Sequence, residues 1–219
     1  MLVRRLRLNI PMGAISAALV LLSASAVPAY GQQSVATGTY TGDGHSPRSI
    51  TGVGFQPDLV IVKSAHGEVA YCKTTTMAGP LSKSLGPGDS TKPDRITSLQ
   101  TDGFTVAHTK EVNEPGVVYT WVAMKASSGL MNLGSYVGND ASFRFIDGAA
   151  FTPEAVLVMT EDSKVAVLRT ATMPLSVSLA LAGGATWADR ILNTAFGGFY
   201  VGSADEVNKG GKTYHFVAW

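Results

Sequence analysis

Apolar residues along this chain gather in short runs, and nowhere do they recur at the spacing of a sustained helix. Asp58-Leu59-Val60-Ile61-Val62-Lys63 is continuous, rich in β-branched side chains and set behind Pro57, which predicts a strand buried on both faces. Val69 to Thr74 follows across Ala65-His66-Gly67 as its hairpin partner. Gly103 to Val106 and Val118 to Met124 read as further strands. In the latter, Tyr119, Trp121 and Ala123 share one face, and Val118, Thr120, Val122 and Met124 the other. Leu175, Val177, Leu179 and Leu181 alternate with small residues, the pattern of a half-buried strand. Between the runs stand Gly42-Asp43-Gly44, Gly86-Pro87-Gly88 and Glu114-Pro115-Gly116, whose glycines and prolines supply turn geometry.

The pattern occurs twice. GTYTGDG…GFQPDLVIVKS…VAYCKTTTM, from Gly38 to Met77, returns as GSYVGND…AFTPEAVLVMT…VAVLRTATM at an offset of 96, and past Gly88 the offset becomes 95. Internal repetition makes each copy a structural unit, with residues 38–125 as the first, 134–219 as the second, 126–133 as a linker and 30–37 as a leading segment. The expected fold is all-β: two tandem β-sandwich repeats of jelly-roll type, held by the short linker so that they pack about a pseudo-twofold. Two differences between the copies bear on packing. Lys83 stands where the second copy has Leu179, which predicts a more exposed strand in the first copy. Cys72 stands where the second has Leu168, which predicts a buried small hydrophobe.

The N-terminus changes the picture of charge and compartment. Arg4, Arg5 and Arg7 precede an apolar run from Met12 to Leu22, too short for a bilayer, and small residues follow at Ala24-Ser25-Ala26 and Val27-Pro28-Ala29. Residues 1–29 therefore read as a secretory signal peptide, and the mature chain as secreted, periplasmic or at the cell surface. The whole chain has a formal charge of +1; without the leader's three arginines it keeps 14 basic and 16 acidic residues, a charge of −2. Such a balance, with no basic cluster, offers no footprint for nucleic acid, and no span crosses a membrane after processing. The single cysteine allows no internal disulfide.

Taken in order, GTYTGDG, GFQPDLVIVKS, DGFTV, VN-x-x-G and YTWVAMK resemble a repeat domain of tail-associated virion proteins of tailed phages and of secreted bacterial proteins of unassigned role. The likeness covers nearly all of the chain past the leader. It departs in the second copy, where Ala150, Glu154 and Met159 replace Gly54, Asp58 and Lys63. The resemblance implies a module of surface or extracellular structure and carries no catalytic residue with it.

Signatures of chemistry are sparse. Ser90 lacks the second glycine of a nucleophile elbow. His45, His66, His108 and His215 have no histidine at the matching place in the other copy and no metal-ligand spacing, so each reads as a loop or surface residue. Gly210-Gly211-Lys212-Thr213 lacks the first glycine of a phosphate loop and reads as a turn. Asp94-Arg95 and Asp189-Arg190 recur and read as structural anchors. Asp43 and Asn139 suit turns that cap themselves better than a calcium site, which needs six to eight oxygens. No metal or cofactor is expected. Since the scaffold repeats, function is expected where the copies diverge: at Asp89 and Lys92, between Gly86 and Pro93, and at Trp187, between Ala182 and Ala188. The expected function is an exported, non-enzymatic binding or structural protein that contacts a glycan, an extracellular or virion protein surface, or another copy of itself. The alternative is a glycan-active hydrolase on the same scaffold, with Asp94 and Asp189 as its carboxylates.

Overall fold

Residues 34–86, 88–184 and 186–219 are described by a computed structural model. The signal-peptide segment 1–29 and residues 30–33 lie outside the described residues. In the first copy the apolar runs form β1 (Val35–Thr41), β2 (Arg48–Thr51), β3 (Leu59–Ser64), β4 (Tyr71–Thr74), β5 (Lys83–Ser84), β6 (Ile96–Gln100), β7 (Gly103–Val106) and β8 (Val118–Met124). In the second they form β9 (Asn132–Val137), β10 (Arg144–Asp147), β11 (Ala155–Thr160), β12 (Val167–Thr170), β13 (Ser178–Ala180), β14 (Thr186–Trp187), β15 (Ile191–Ala195), β16 (Gly198–Val201) and β17 (Thr213–Ala218). No helix occurs among the described residues.

Each copy is a sandwich of one large and one small antiparallel sheet. The first pairs the order β1-β8-β3-β4-β5 with β2-β7-β6; the second pairs β9-β17-β11-β12-β13-β14 with β10-β16-β15. Equivalent strands hold equivalent places, down to a bulge between Ile96 and Ser98 that returns between Ile191 and Asn193. Inside the first sandwich Val60, Val62, Tyr71 and Trp121 of the large sheet meet Ile50, Ile96 and Phe104 of the small one. Inside the second, Val156, Val158, Val167 and Phe216 meet Ile146, Ile191 and Phe199.

The alternate residues of the central strands point the other way and build a third core. Leu59, Cys72 and Met77 of the first copy pack there with Leu157, Met159, Ala166 and Val217 of the second. The Cys72 Sγ lies 3.1 Å from the Met159 Sδ, and burial pushes the Cys72 thiol up to about 12. β3 and β11 are thus covered on both faces, as their continuous apolar runs predict. The molecule has four layers: a three-stranded sheet, the two large sheets back to back, and the second three-stranded sheet.

The repeated motif residues tie one end of each sandwich. Tyr40 stacks on Tyr119 and Tyr136 on Tyr214, both with ring centroids 5.1 Å apart. The Tyr40 hydroxyl donates to the Val112 carbonyl at 2.5 Å, and Tyr136 to Val207 at the same distance. Asn113 donates to the His45 carbonyl (2.8 Å) and Asn208 to that of Ala141 (2.7 Å), so each buried asparagine fastens the loop after the first strand of its copy. Asp43 and Asn139 cap their own turns by accepting from the backbone amides of His45 and Ala141. Gly42 and Gly138 are required here, because a Cβ would lie 2.0 Å from the Glu114 carbonyl oxygen or 2.1 Å from that of Lys209.

Two strand expectations are corrected. Lys83 is fully buried rather than more exposed, because its ammonium group bonds to backbone carbonyls of both copies. The leucine alternation yields only the short β13, in which Ser178 and Ala180 are buried. The leucines point toward the seam between the copies, where Leu181 packs, while Leu175 lies 73 % exposed in the preceding turn.

Separating the copies would expose Leu59, Leu157, Met159 and Val217. At about 1.5–3 kcal/mol for each large apolar side chain, that loss rivals the ~5–15 kcal/mol stability of a whole domain. Fragments 34–125 and 126–219 are each expected to melt well below the intact chain and less cooperatively. Calorimetry showing two transitions unchanged by separation would contradict the seam's role.

Candidate functional site

The divergent loop 86–93 of the first copy lands on the seam. Lys83 Nζ donates to the Asp89 carbonyl (2.5 Å) and, across the seam, to the Asp162 carbonyl. The Thr91 amide donates to the Glu161 carbonyl at 2.9 Å. The Asp89 carboxylate accepts from the Tyr71 hydroxyl at 3.4 Å, and Lys92 exchanges backbone hydrogen bonds with Ser82. Both expected binding residues of this loop therefore sit in a segment whose backbone joins the copies.

Beside it lies a chain of side chains that the sequence reading missed. His215 is buried against the seam, not in a loop or on the surface, because β17 is central to its sheet and turns position 215 toward the first copy. Its Nε2 lies 3.1 Å from Glu161 Oε1, its Nδ1 2.9 Å from Thr76 Oγ1, and Thr76 is 2.8 Å from Thr74 Oγ1. A neutral His215 that donates to Glu161 through Nε2 accepts the Thr76 hydroxyl at Nδ1. Burial holds the imidazole below its ordinary value, against the opposing pull of Glu161. The set links the copies.

Buried cations also stand inside each sandwich. Lys73 donates to the carbonyls of Gly79 and Leu81, both at 2.7 Å. Its counterpart Arg169 donates to those of Pro174 (2.8 Å), Met173 (3.0 Å) and Val177. The Leu81 and Val177 carbonyls are equivalent acceptors, so a lysine and an arginine close the same loop in the two copies.

Trp187 sits in β14, paired with Ser178, half-buried against the second core with the Arg190 guanidinium 4.7 Å from its ring centroid. Trp187 and Lys92 hold equivalent places in different copies. The recurrent arginines each reach a glutamate, Arg95 to Glu111 (3.0 Å) and Arg190 to Glu206 (3.1 Å). Asp94 pairs with Arg95, and Asp189 accepts from Ser203 at 3.3 Å.

A further departure between the copies lies on the outer face of the β10-β16-β15 sheet. Phe145 and Tyr200 are cross-strand partners there, with centroids 5.0 Å apart. Phe143 stacks on Tyr200 at 4.6 Å and an interplanar angle of 20°. Phe143 is 66 % exposed and Phe196, in the β15–β16 turn, 79 %. The first copy places Pro47, Ser49, Thr105 and Thr101 at these positions. The offset that aligns the copies marks these residues as differences, with Phe145 and Tyr200 in scaffold strands and Phe143 and Phe196 beside them.

Residues 32–132 match the model of a family described as a domain of unknown function, DUF7483; this stretch spans the first copy and the linker. No curated protein matches the chain, and no solved structure does.

Two predictions follow from this geometry. Burial lowers Lys73 and Lys83 from 10.5 to about 8, so between those values the unfolded chain binds protons that the folded chain does not, and stability rises with pH. Burial raises Tyr71 and Tyr214 from 10.0 to about 12, so above pH 10 the sign reverses. Melting temperature is expected to climb from pH 8 toward 10 and then fall, with the climb flattened in Lys83→Met; a profile that falls from pH 8 would refute the assignment. Trp187→Ala is expected to cost about 2 kcal/mol in urea unfolding, below the ~3–5 kcal/mol of a fully buried aromatic.

Proposed function

We propose that this chain is an exported, non-enzymatic binding or structural protein, built from two sandwiches joined about a pseudo-twofold. The observation that carries the reading is the exposed aromatic cluster on the second copy's outer sheet, since a soluble surface bears such a patch mainly as a contact site. The reading draws further support from the seam, where the backbone of the divergent loop, through the Thr91 amide, is engaged in holding the copies together. Counterpart residues of both copies contribute to one core there, Ile61 and Leu157, Cys72 and Leu168, Leu85 and Leu181, and Met124 and Trp219, which is compatible with an isologous contact. The leader pattern and the resemblance to secreted and virion-associated repeats supply the compartment.

The test has three readouts on protein exported from a bacterial host. Mass spectrometry is expected to find an N-terminus between Val27 and Gln32. Sedimentation with envelope preparations is expected to show saturable adsorption. A panel of polysaccharides and esters is expected to show no turnover; hydrolysis abolished by Asp94→Asn or Asp189→Asn, with melting unchanged, would overturn the proposal in favour of a hydrolase.

A further inference from the structure

Resting on that reading, we infer that the outer face of the β10-β16-β15 sheet is a stacking platform for an uncharged glycan, with Phe143 and Phe145 as its ring surfaces and Asp147 and Asn193 as its hydroxyl partners.

The platform is fixed before any ligand arrives. Phe143 has a backbone φ of 59°, a left-handed conformation costly for a bulky residue, at a position where the first copy has a proline. The strained turn projects the ring outward, and its stacking on Tyr200 restrains it there. A side chain already ordered loses little entropy on binding. Phe145 is placed over the neighbouring strand, its Cζ 3.2 Å from where a Cβ on Gly198 would lie. Toward the β15–β16 turn the face opens into a notch, because residue 197 is glycine, where the first copy has Asp102. A Cβ on Gly197 would lie 3.9 Å from both the Phe145 Cζ and Asp147 Oδ1. An aromatic edge and an acceptor oxygen thus border the same opening. From Arg144 to Asp147 the strand runs about 10 Å, and Phe143 extends the face beyond its start.

Charge selects the ligand. Asp147 is exposed and follows Phe145 by two residues, so both point outward from β10. Asn193 stands across from Tyr200 on β15 and offers an amide donor and acceptor. Arg144, the cation of β10, is turned away: it donates to the Val137 carbonyl (2.6 Å) and to Asn208 Oδ1 (3.1 Å), with its guanidinium 5.3 Å from the Tyr136 centroid. The face therefore presents electron-rich ring surfaces, a carboxylate and an amide. This complements the electropositive C–H face and donating hydroxyls of a neutral sugar ring, and repels phosphate, sulfate or uronate groups. In the first copy the corresponding row is Ser49, Thr105 and Ser98, with no ring to stack on, so a single copy holds the platform.

Affinity electrophoresis of the exported chain tests this, with hydroxyethylcellulose, glucomannan or mixed-linkage β-glucan in the gel against heparin and polygalacturonate. A neutral polysaccharide is expected to retard the parent protein and the anionic ones not to. Phe145→Ser with Tyr200→Thr, the residues of the first copy, is expected to weaken binding roughly tenfold or more. Should that pair melt early, Phe143→Ala, at an exposed site ahead of the strand, serves with the same expectation. Equal retardation of parent and variants, preference for the anionic polymers, or no retardation by any neutral polymer would overturn the platform. Retained envelope adsorption with no glycan retardation would overturn the platform alone and leave the binding reading. Concentration-dependent dimers abolished by the same substitutions would assign the face to a second copy instead.

Discussion

A strand that is apolar on both faces has to be covered twice, and the architecture follows from that demand at β3 and β11. Val60 and Val62 are buried by the small sheet of their own copy, while Leu59 and Ile61 need something on the other side. The same holds for Val156 and Val158 against Leu157 and Met159. A single sandwich of this design leaves a sheet of leucine, methionine and valine in water. Two copies solve the problem for each other, which gives the duplication a physical purpose and makes the seam a core rather than a contact between finished domains.

Joining the copies then breaks their equivalence. Lys83 stands at a leucine place of its twin and is buried; the Asp89 and Asp162 carbonyls satisfy it from either side of the seam. His215, Glu161, Thr76 and Thr74 make a second polar link nearby. Apolar packing alone would leave the two sheets free to slide, whereas directional bonds to fixed carbonyls define one registration, since a displaced bond would strand a buried polar group. Residues released from repetition at the seam thus serve to fix the assembly.

The other departure faces outward. Large aromatic side chains on a solvated sheet cost solubility, and the first copy avoids them at the same positions with Pro47, Ser49, Thr101 and Thr105. Their appearance in one copy, together with the left-handed turn at Phe143 and the glycine at 197, is a coordinated change of one surface on an unaltered scaffold. Stable repetition inside and freedom outside are the conditions under which a duplicated fold can acquire a contact face without risk to its core.

The repeat, the all-β class, the double-sided central strands, the turn chemistry and the burial of Cys72 were legible in the residues, because pleat period, glycine spacing and copy-to-copy identity are local or pairwise properties of the chain. The fate of Lys83 and His215 was not, since a polar residue in a strand is buried or exposed according to what packs over it, and here that cover comes from the other copy. Nor could spacing reveal that the divergent loop of the first copy, through Thr91, bonds across the seam. Phe143, Phe145, Phe196 and Tyr200 carry no mark in sequence that separates an exposed aromatic from a core one. Only the three-dimensional packing, by fixing which face of β10 and β16 meets the second core, decided that these rings point to water.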